Sequence, residues 1–187
     1  MPPALPGEFS FASSGTCVTT QGGQNAWIAT GGADIARILA TTDQGDTWNA
    51  YDTPLISSPS AGAFTVDFRD PHNGIVGGGD LDPGNPNDAR TAISSDGGRS
   101  WTLTNPPPVT GAIFGLSYVG QTGRGGGNSL GRAAVITAND GGAAWTPDEG
   151  TTWFTLPGVT GFWAVAFAGP NVGWLVGTDG RILKISF

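Results

Sequence analysis

The side chains in this sequence that suit hydrolytic chemistry are a few aspartates outside its repeated turns. Glycoside hydrolysis with inversion needs only two carboxylates that face each other across a cleft. Asp34, Asp67 and Asp70 are the candidates for such a pair, but their surroundings favour turn or solvent-facing positions. Flat apolar rings that stack on sugars are also present, on Trp27, Trp163 and Trp174. Their place in strands favours packing between sheets, so we predict no catalytic residues and no enzyme activity.

Oxygen-bearing side chains cluster between residues 80 and 88, which makes this loop a candidate for binding Ca²⁺. They are Asp80, Asp82, Asn85, Asn87 and Asp88, spaced unlike an EF-hand and interrupted by Pro83 and Pro86. The alternative is a polar insertion between strands.

Two other features lack the pattern of a binding site. Residues 123–128 are rich in glycine but lack the Gly-Lys-Ser/Thr ending of a phosphate loop, and His72 is the only histidine. We predict no metal and no cofactor, and calcium binding at the loop stays open.

The composition is typical of an all-β protein with many turns. The 187 residues include 32 glycines and 14 prolines, only 12% are charged, and seven Trp and nine Phe supply apolar area for a core. A net charge of −7 without a basic cluster disfavours nucleic acid as a partner. No stretch reaches about 20 apolar residues, so no membrane span is predicted. Cys17 is the only cysteine, and the first residues are not a signal peptide.

Three segments with one eight-residue pattern divide the sequence at nearly constant intervals. Each has a Ser or Thr two residues before an Asp and a Gly two residues after that Asp. Each ends with a Ser or Thr followed directly by a Trp. The tryptophans, Trp48, Trp101 and Trp153, are 53 and 52 residues apart. A period of roughly 40 to 50 residues is typical of β-propeller blades.

Every residue of the pattern has a local structural task. A short carboxylate at a turn accepts hydrogen bonds from nearby backbone N–H groups, and glycine supplies the positive φ of the turn. We therefore predict that these residues stabilise hairpins and do not catalyse. They are Asp43, Gly45, Thr47, Trp48, Asp96, Gly98, Ser100, Trp101, Asp148, Gly150, Thr152 and Trp153.

Short strands around each turn complete a unit of four strands, which predicts the fold class. It is an all-β β-propeller with four-stranded antiparallel blades. We predict an extended leader at residues 1–8 and the propeller segment at 9–187, with blades at 9–55, 62–106, 111–157 and 161–187. The segment 181–187 repeats a third strand and then stops, so the fourth blade is expected to be incomplete.

The turns resemble the Asp-box (BNR) repeats of sialidases and other propellers. The wider frame is Phe64-x-Val66-x-Phe68-Arg69-Asp70 followed by Asn73-Gly74-Ile75, and again Val165-x-Phe167 followed by Val172-Gly173-Trp174 and Gly177-Thr178-Asp179-Gly180-Arg181. It resembles the photosystem II stability/assembly factor family and its bacterial relatives over residues 9–187. The resemblance implies a seven-bladed propeller, about twice this length and usually exported, that acts as a binding scaffold. It does not imply contact with a photosystem.

A resemblance to sialidases would also imply three arginines around a substrate carboxylate and a tyrosine paired with a glutamate. The tyrosines and glutamates available are Tyr51, Tyr118, Glu8 in the leader and Glu149 inside a repeated turn. The arginines Arg37, Arg90 and Arg181 are equivalent in the repeat, so we expect them on equivalent strands and not around one ligand. The sequence argues against a sialidase.

The sequence thus favours a non-catalytic propeller scaffold for protein binding or complex assembly. The alternative is a secreted carbohydrate-active protein, either a glycoside hydrolase or sialidase-like, and a third class is a purely architectural repeat module. An open set of four blades would expose apolar residues on its two end faces, which predicts self-association. A closed ring of four blades is the alternative to that arrangement.

Overall fold

The computed structural model describes residues 1–82, 89–120, 131–169 and 172–187. In these residues the chain forms fifteen β-strands in four antiparallel sheets, and two single 3₁₀ turns at Ala12–Ser14 and Thr178–Gly180. The predicted all-β class is confirmed. Residues 123–128, and the loop residues Asn85, Asn87 and Asp88 of the calcium candidate, lie outside the described part of the chain.

The sheets follow one another along the chain, and each has its strands side by side in sequence order; we call them blades 1 to 4. Blade 1 contains β1 (Val18–Gln21), β2 (Asn25–Ala29), β3 (Arg37–Thr41) and β4 (Asn49–Asp52). Blade 2 contains β5 (Ala61–Phe68), β6 (Gly74–Asp80), β7 (Thr91–Ser94) and β8 (Thr102–Leu103). Blade 3 contains β9 (Gly115–Tyr118), β10 (Ala134–Thr137), β11 (Ala143–Thr146) and β12 (Phe154–Thr155). Blade 4 contains β13 (Phe162–Gly169), β14 (Val172–Gly177) and β15 (Ile182–Ser186).

Three blades of four strands and one of three agree with the predicted fold class of four-stranded antiparallel blades, of which the last is incomplete. The first strands of successive blades contact each other, β1 with β5, β5 with β9 and β9 with β13, so these strands are innermost and the blades are arranged radially. The ring of seven blades that the resemblance implies stays a prediction.

Alternating side chains of each blade form the cores between neighbouring blades, because successive residues of a strand point to opposite faces. Between blades 1 and 2, Trp27 and Ile38 pack with Val66, Phe68 and Val76. The Trp27 and Phe68 rings are parallel with centroids 3.7 Å apart. Burial of such aromatic and branched side chains stabilises a fold by roughly 1.5–3 kcal/mol each, so the contacts between blades hold the molecule together.

Two glycines allow blades 1 and 2 to approach at their inner ends. Gly31 pairs with Gly62 in an isolated antiparallel bridge, and a Cβ placed on Gly62 would lie 2.4 Å from the Cα of Gly31. No other residue fits here without separating the two blades.

The two faces of the propeller differ in their connections, because the strands of a blade run alternately up and down. Turns after the first strand, and the repeated hairpins between the third and fourth strands, share one face, which we call the lower face. Turns between the second and third strands, and the segments that join one blade to the next, share the other face, which we call the upper face.

The first residues of the chain are attached to the upper face of blade 1. The predicted leader is anchored by Glu8, whose carboxylate accepts from the Arg37 Nε at 2.9 Å and from the Thr30 hydroxyl at 2.7 Å. Phe9 pairs with Gly31 in a second bridge, and Phe11 packs against Phe64 near the axis.

Candidate functional site

The second repeated hairpin shows how the predicted Asp-box residues are arranged. One oxygen of the Asp96 carboxylate accepts from the Ser100 N–H at 2.9 Å, and the other accepts from the Ser100 hydroxyl at 2.6 Å. The Ser94 hydroxyl donates to the same carboxylate at 2.8 Å and accepts from the Gly98 N–H at 2.9 Å. Gly98 has a φ of 85°, and its carbonyl accepts from the Trp101 indole at 3.0 Å. All these contacts are local.

The first hairpin repeats these contacts. Asp43 accepts from the N–H of Thr47 at 2.9 Å, from its hydroxyl at 2.5 Å and from the Thr41 hydroxyl at 2.7 Å, and the Trp48 indole donates to the Gly45 carbonyl at 3.1 Å. The bonds from Thr47 and Thr41 lower the pKa of Asp43 to about 2. Although partial burial opposes the shift, bonds from Ser100 and Ser94 likewise lower the pKa of Asp96 to about 2.

The third hairpin repeats the bonds to its Asp carboxylate and its first Thr hydroxyl, and it also joins blade 2. The Asp148 carboxylate accepts from the Thr152 N–H at 2.7 Å, and the Gly150 N–H donates to the Thr146 hydroxyl at 2.7 Å. The Trp153 indole, however, donates to the carbonyl of Asn105, which follows the last strand of blade 2, at 2.9 Å. In return the Asn105 N–H donates to the Gly150 carbonyl at 3.0 Å and its side-chain amide to the Thr151 carbonyl at 2.6 Å.

A buried carboxylate with arginine and tyrosine partners lies on the lower face between blades 2 and 3. One Glu149 oxygen accepts from the Arg69 Nε at 2.7 Å and from the Tyr118 hydroxyl at 2.9 Å, and the other accepts from the Arg132 Nε at 2.9 Å. Arg69 also bonds Asp70 at 2.7 Å. We call these five residues the Glu149 cluster. It pairs Tyr118 with Glu149, a contact that the sequence analysis did not predict.

The burial of Tyr118 and Glu149 argues against nucleophilic chemistry. The Tyr118 ring is fully buried, and only 8% of the Glu149 side chain is exposed. Burial and the neighbouring Glu149 charge raise the pKa of Tyr118 well above its ordinary value, the opposite of what a nucleophile requires. The arrangement suits a contact that fixes blade 3 to blade 2.

One sequence signal points to this cluster in retrospect. Glu149 occupies the position between the Asp and the Gly of its turn, where the backbone has a positive φ of 58°. The equivalent residues are Gln44 and Gly97, and the left-handed conformation favours glycine or asparagine. A glutamate at such a position indicates a long-range partner.

Two of the three candidate aspartates for glycoside hydrolysis lie on opposite faces of the propeller. Asp34 is exposed in the β2–β3 turn on the upper face, whereas Asp70 lies in the β5–β6 turn on the lower face. Asp70 accepts from the N–H groups of His72 and Asn73, each at 2.8 Å, so both Asp70 and His72 take part in shaping a turn.

Asp67 lies at the end of the inner strand β5, between the inner strands of blades 1 and 3. Its carboxylate accepts from the Thr19 hydroxyl of β1 at 3.1 Å, from the Tyr118 N–H of β9 at 2.8 Å and from the Phe68 N–H at 2.9 Å. Burial raises the pKa of Asp67 to about 6, although these hydrogen bonds act in the opposite direction.

The three candidate tryptophans occupy different environments. Trp27 is buried between blades 1 and 2, as its strand position predicted, and Trp174 is exposed on blade 4. Trp163 is half-buried and makes an edge contact with Phe114, with ring centroids 4.7 Å apart. It is the last ring of a continuous row near the inner strands, formed by Phe9, Phe11, Phe64, Phe114 and Trp163.

The three repeat-equivalent arginines bind separate partners. Arg37 pairs with Glu8, Arg90 donates to the carbonyls of Val109 at 2.9 Å and Gly111 at 2.7 Å, and Arg181 donates to the Thr160 carbonyl at 3.0 Å. Their guanidinium groups hold connections between strands, and they do not converge on one ligand.

The part of the chain that the structure describes contains no assembled metal-binding site. There, no group of three or more His, Cys, Asp or Glu side chains is placed to hold an ion. Of the calcium candidate loop, Asp80 accepts from the Ser60 hydroxyl at 2.7 Å and from the Asp82 N–H at 2.9 Å. These two contacts shape the end of β6.

Exposed apolar side chains and carboxylates both lie on the upper face of blades 1 and 2. Phe9, Ile35 and Leu81 are exposed there, and Asp34, Asp80 and Asp82 lie beside them in sequence. The supporting backbone is continuous, because Phe9 pairs with Gly31, the Gly32 N–H donates to the Ala61 carbonyl and Ala61 pairs with Asp80. We call these six side chains the upper rim; they are Phe9, Asp34, Ile35, Asp80, Leu81 and Asp82.

The sheets and their hairpins define a β-propeller. No family model matches the chain, and no curated protein matches it. Among solved structures, a GH74 enzyme from Niastella koreensis superimposes with a TM-score of 0.65 at 16% sequence identity, over 91% of this chain and 28% of that enzyme. An ancestral GH74 enzyme gives a TM-score of 0.61 at 14% identity, over 98% of this chain and 24% of the other.

A further solved structure, YCF48 bound to a D1 peptide, gives a TM-score of 0.50 at 17% identity, over 96% of this chain and 82% of that one. At these identities the likeness establishes the propeller fold alone, which confirms the predicted resemblance at that level. The chain spans about a quarter of the length of the GH74 enzymes it matches. In the described residues no helix is long and apolar enough to cross a membrane.

Proposed function

We propose that this protein is a non-catalytic β-propeller scaffold that binds a basic, apolar peptide segment of a protein partner through its upper rim. The observation that carries the proposal is the rim itself, where three exposed apolar side chains and three carboxylates adjacent to them in sequence share one face. Apolar groups supply binding energy by leaving water, and the surrounding negative charge selects and steers a positively charged partner. The net charge of −7 acts in the same direction.

The arrangement of the acidic groups supports a non-catalytic role. Glu149 and Glu8 are each held by arginines, Asp70 closes a turn, and Asp34 lies on the opposite face from Asp67 and Asp70. A glycosidase needs two carboxyl groups about 5–10 Å apart that flank the scissile bond, with one free to exchange a proton. YCF48, a propeller of similar fold, has been solved with a bound peptide, which makes peptide binding a natural use of this architecture.

The test measures binding of defined peptides by fluorescence polarisation. One labelled peptide of about a dozen residues alternates Arg with Leu and Phe, and its counterpart has Glu in place of Arg. We expect the basic peptide to bind and the acidic one not to bind, with affinity that falls as salt is raised. Replacing Ile35 and Leu81 together by Ser should weaken binding by about tenfold or more.

The matched control is Leu103→Ser, because Leu103 is similarly exposed but lies on the outer strand β8. It should bind the basic peptide as the parent protein does. Equal binding of the acidic peptide, or full binding by the Ile35 and Leu81 double variant, would contradict the assignment of the upper rim.

A carbohydrate-active protein is the second candidate, favoured by the row of aromatic rings that ends at half-buried Phe114 and Trp163. Such rings stack on sugars. Incubation with a panel of glycans and fluorogenic glycosides separates the two functions. Turnover that is lost in an Asp67→Asn or Asp70→Asn variant would support the enzyme and refute the scaffold.

A further inference from the structure

Blade 4 has an apolar face that no described part of the chain covers. Cross-strand pairing places Trp174 beside Lys184, and Val176 beside Ile182, on one side of the sheet. The exposed fractions are 40% for Trp174, 46% for Val176 and 72% for Ile182. The opposite side of the same blade, which includes Leu175, is buried against blade 3. We call the exposed side the open face of blade 4.

The equivalent side chains of blade 1 show what this kind of face normally packs against. There Trp27 pairs with Ala40, and Ala29 with Ile38, in the same register. Their exposures are only 0–5%, because blade 2 covers them. Trp27 stacks on Phe68 of blade 2 and donates its indole N–H to the Gly97 carbonyl at 2.8 Å. In blade 2, the side that covers these residues holds the cross-strand row Val66, Val76 and Ala92. We call the corresponding side of any blade its leading side.

A leading side of this kind is open at the other end of the molecule. In blade 1 it holds the cross-strand row Val18, Ile28 and Leu39, with Val18 half exposed. The corresponding row of blade 2, which is Val66, Val76 and Ala92, is buried under blade 1. The molecule thus carries both partners of a blade-to-blade interface, one at each end, and on the leading side of blade 1 Ile28 and Leu39 are partly exposed beside Val18.

We propose that two copies of this chain bind head to tail, with the open face of blade 4 in one copy packed on the leading side of blade 1 in the other. The contact continues the interface that already joins blades 1 to 4 within one copy. Two such contacts close a ring of eight blades, which lies within the range of four to eight that propellers adopt.

Face-to-face packing accounts for the open face better than pairing of two β15 edges does. An antiparallel pair of β15 strands centred on Lys184 would place the two lysines directly opposite each other, and like charges at such positions are destabilising. A lysine on an exposed edge is a common device against pairing of this kind.

Sedimentation velocity at micromolar concentrations tests the proposal. We expect a species of twice the 19.0 kDa of one chain. Ile182→Glu, on the open face of blade 4, and Val18→Glu, on the leading side of blade 1, should each give monomers, since either change damages both contacts of the ring. Both side chains are at least half exposed in one copy, so the fold itself should tolerate the changes.

Mixing the two variants distinguishes the head-to-tail contact from all symmetric ones. Ile182→Glu retains an intact blade 1 and Val18→Glu an intact blade 4, so the mixture can form one unaltered contact and should recover dimers at higher concentration. Leu103→Ser serves as a control and should dimerise normally. A monomeric parent protein, a dimeric Val18→Glu variant or the absence of recovery on mixing would overturn the proposal.

Discussion

At the scale of single residues, Asp67 makes the stability of the protein depend on pH. Its folded-state pKa of about 6 lies above the ordinary value of 3.8, so folding favours the protonated carboxyl. Stability from this group is fully present below about pH 4 and is lost as the pH rises through 6. The difference corresponds to about 3 kcal/mol in the free energy of unfolding.

The measurement is urea unfolding at several pH values between 4 and 7. The parent protein should lose stability across this window, and Asp67→Asn should remove most of the slope. Asp34→Asn, on an exposed turn, makes the same change in net charge and should leave the slope as it is. A slope that persists in Asp67→Asn would refute the role of this carboxyl.

Glu149 is the second residue whose environment gives a sharp prediction. Glu149→Gly removes the acceptor for Arg69, Tyr118 and Arg132 while keeping a residue that tolerates positive φ, so we expect a loss of about 2–3 kcal/mol in unfolding free energy. Gln44→Gly makes the equivalent change in the first hairpin, where the backbone φ is 62°. That control should change stability by less than about 1 kcal/mol. The measurement is thermal and urea unfolding of both variants. Equal losses of stability in Glu149→Gly and Gln44→Gly would show that the cluster contributes nothing.

At the scale of the element, each repeated hairpin is held by one carboxylate. Asp96→Ala removes the acceptor for both donors of Ser100, and we expect it to lower the free energy of unfolding by about 1–2 kcal/mol. Asp46→Ala, in the first hairpin, is the control because that side chain is exposed and its position in the pattern is variable. An unchanged urea midpoint for Asp96→Ala would refute the structural role.

The strands and hairpins were predictable from sequence to the extent that their signals are local. Three tryptophans at constant spacing, and apolar alternation such as Phe64–Phe68, predict blades without reference to the rest of the chain. The strand Val18–Gln21 gives a weaker signal, since most of its residues are polar and one side of it is open. The Glu149 cluster and the contacts of Asp67 join residues up to 80 positions apart, and no local pattern encodes such distances.

At the scale of the whole molecule, the propeller is a one-dimensional stack whose middle differs from its ends. Inner blades bury both sides, whereas blades 1 and 4 each present one side with apolar residues. The upper rim lies on a different surface, the upper face. Binding of a basic peptide and association of two copies use separate surfaces. The upper-rim variants and the end-face variants are therefore expected to act independently of each other.

The bonds that join the third hairpin to Asn105, together with the Glu149 cluster, attach blades 2 and 3 to each other at two separate places on the lower face. Proteases that act on transient openings would accordingly release blades 2 and 3 as one piece and not as two separate blades.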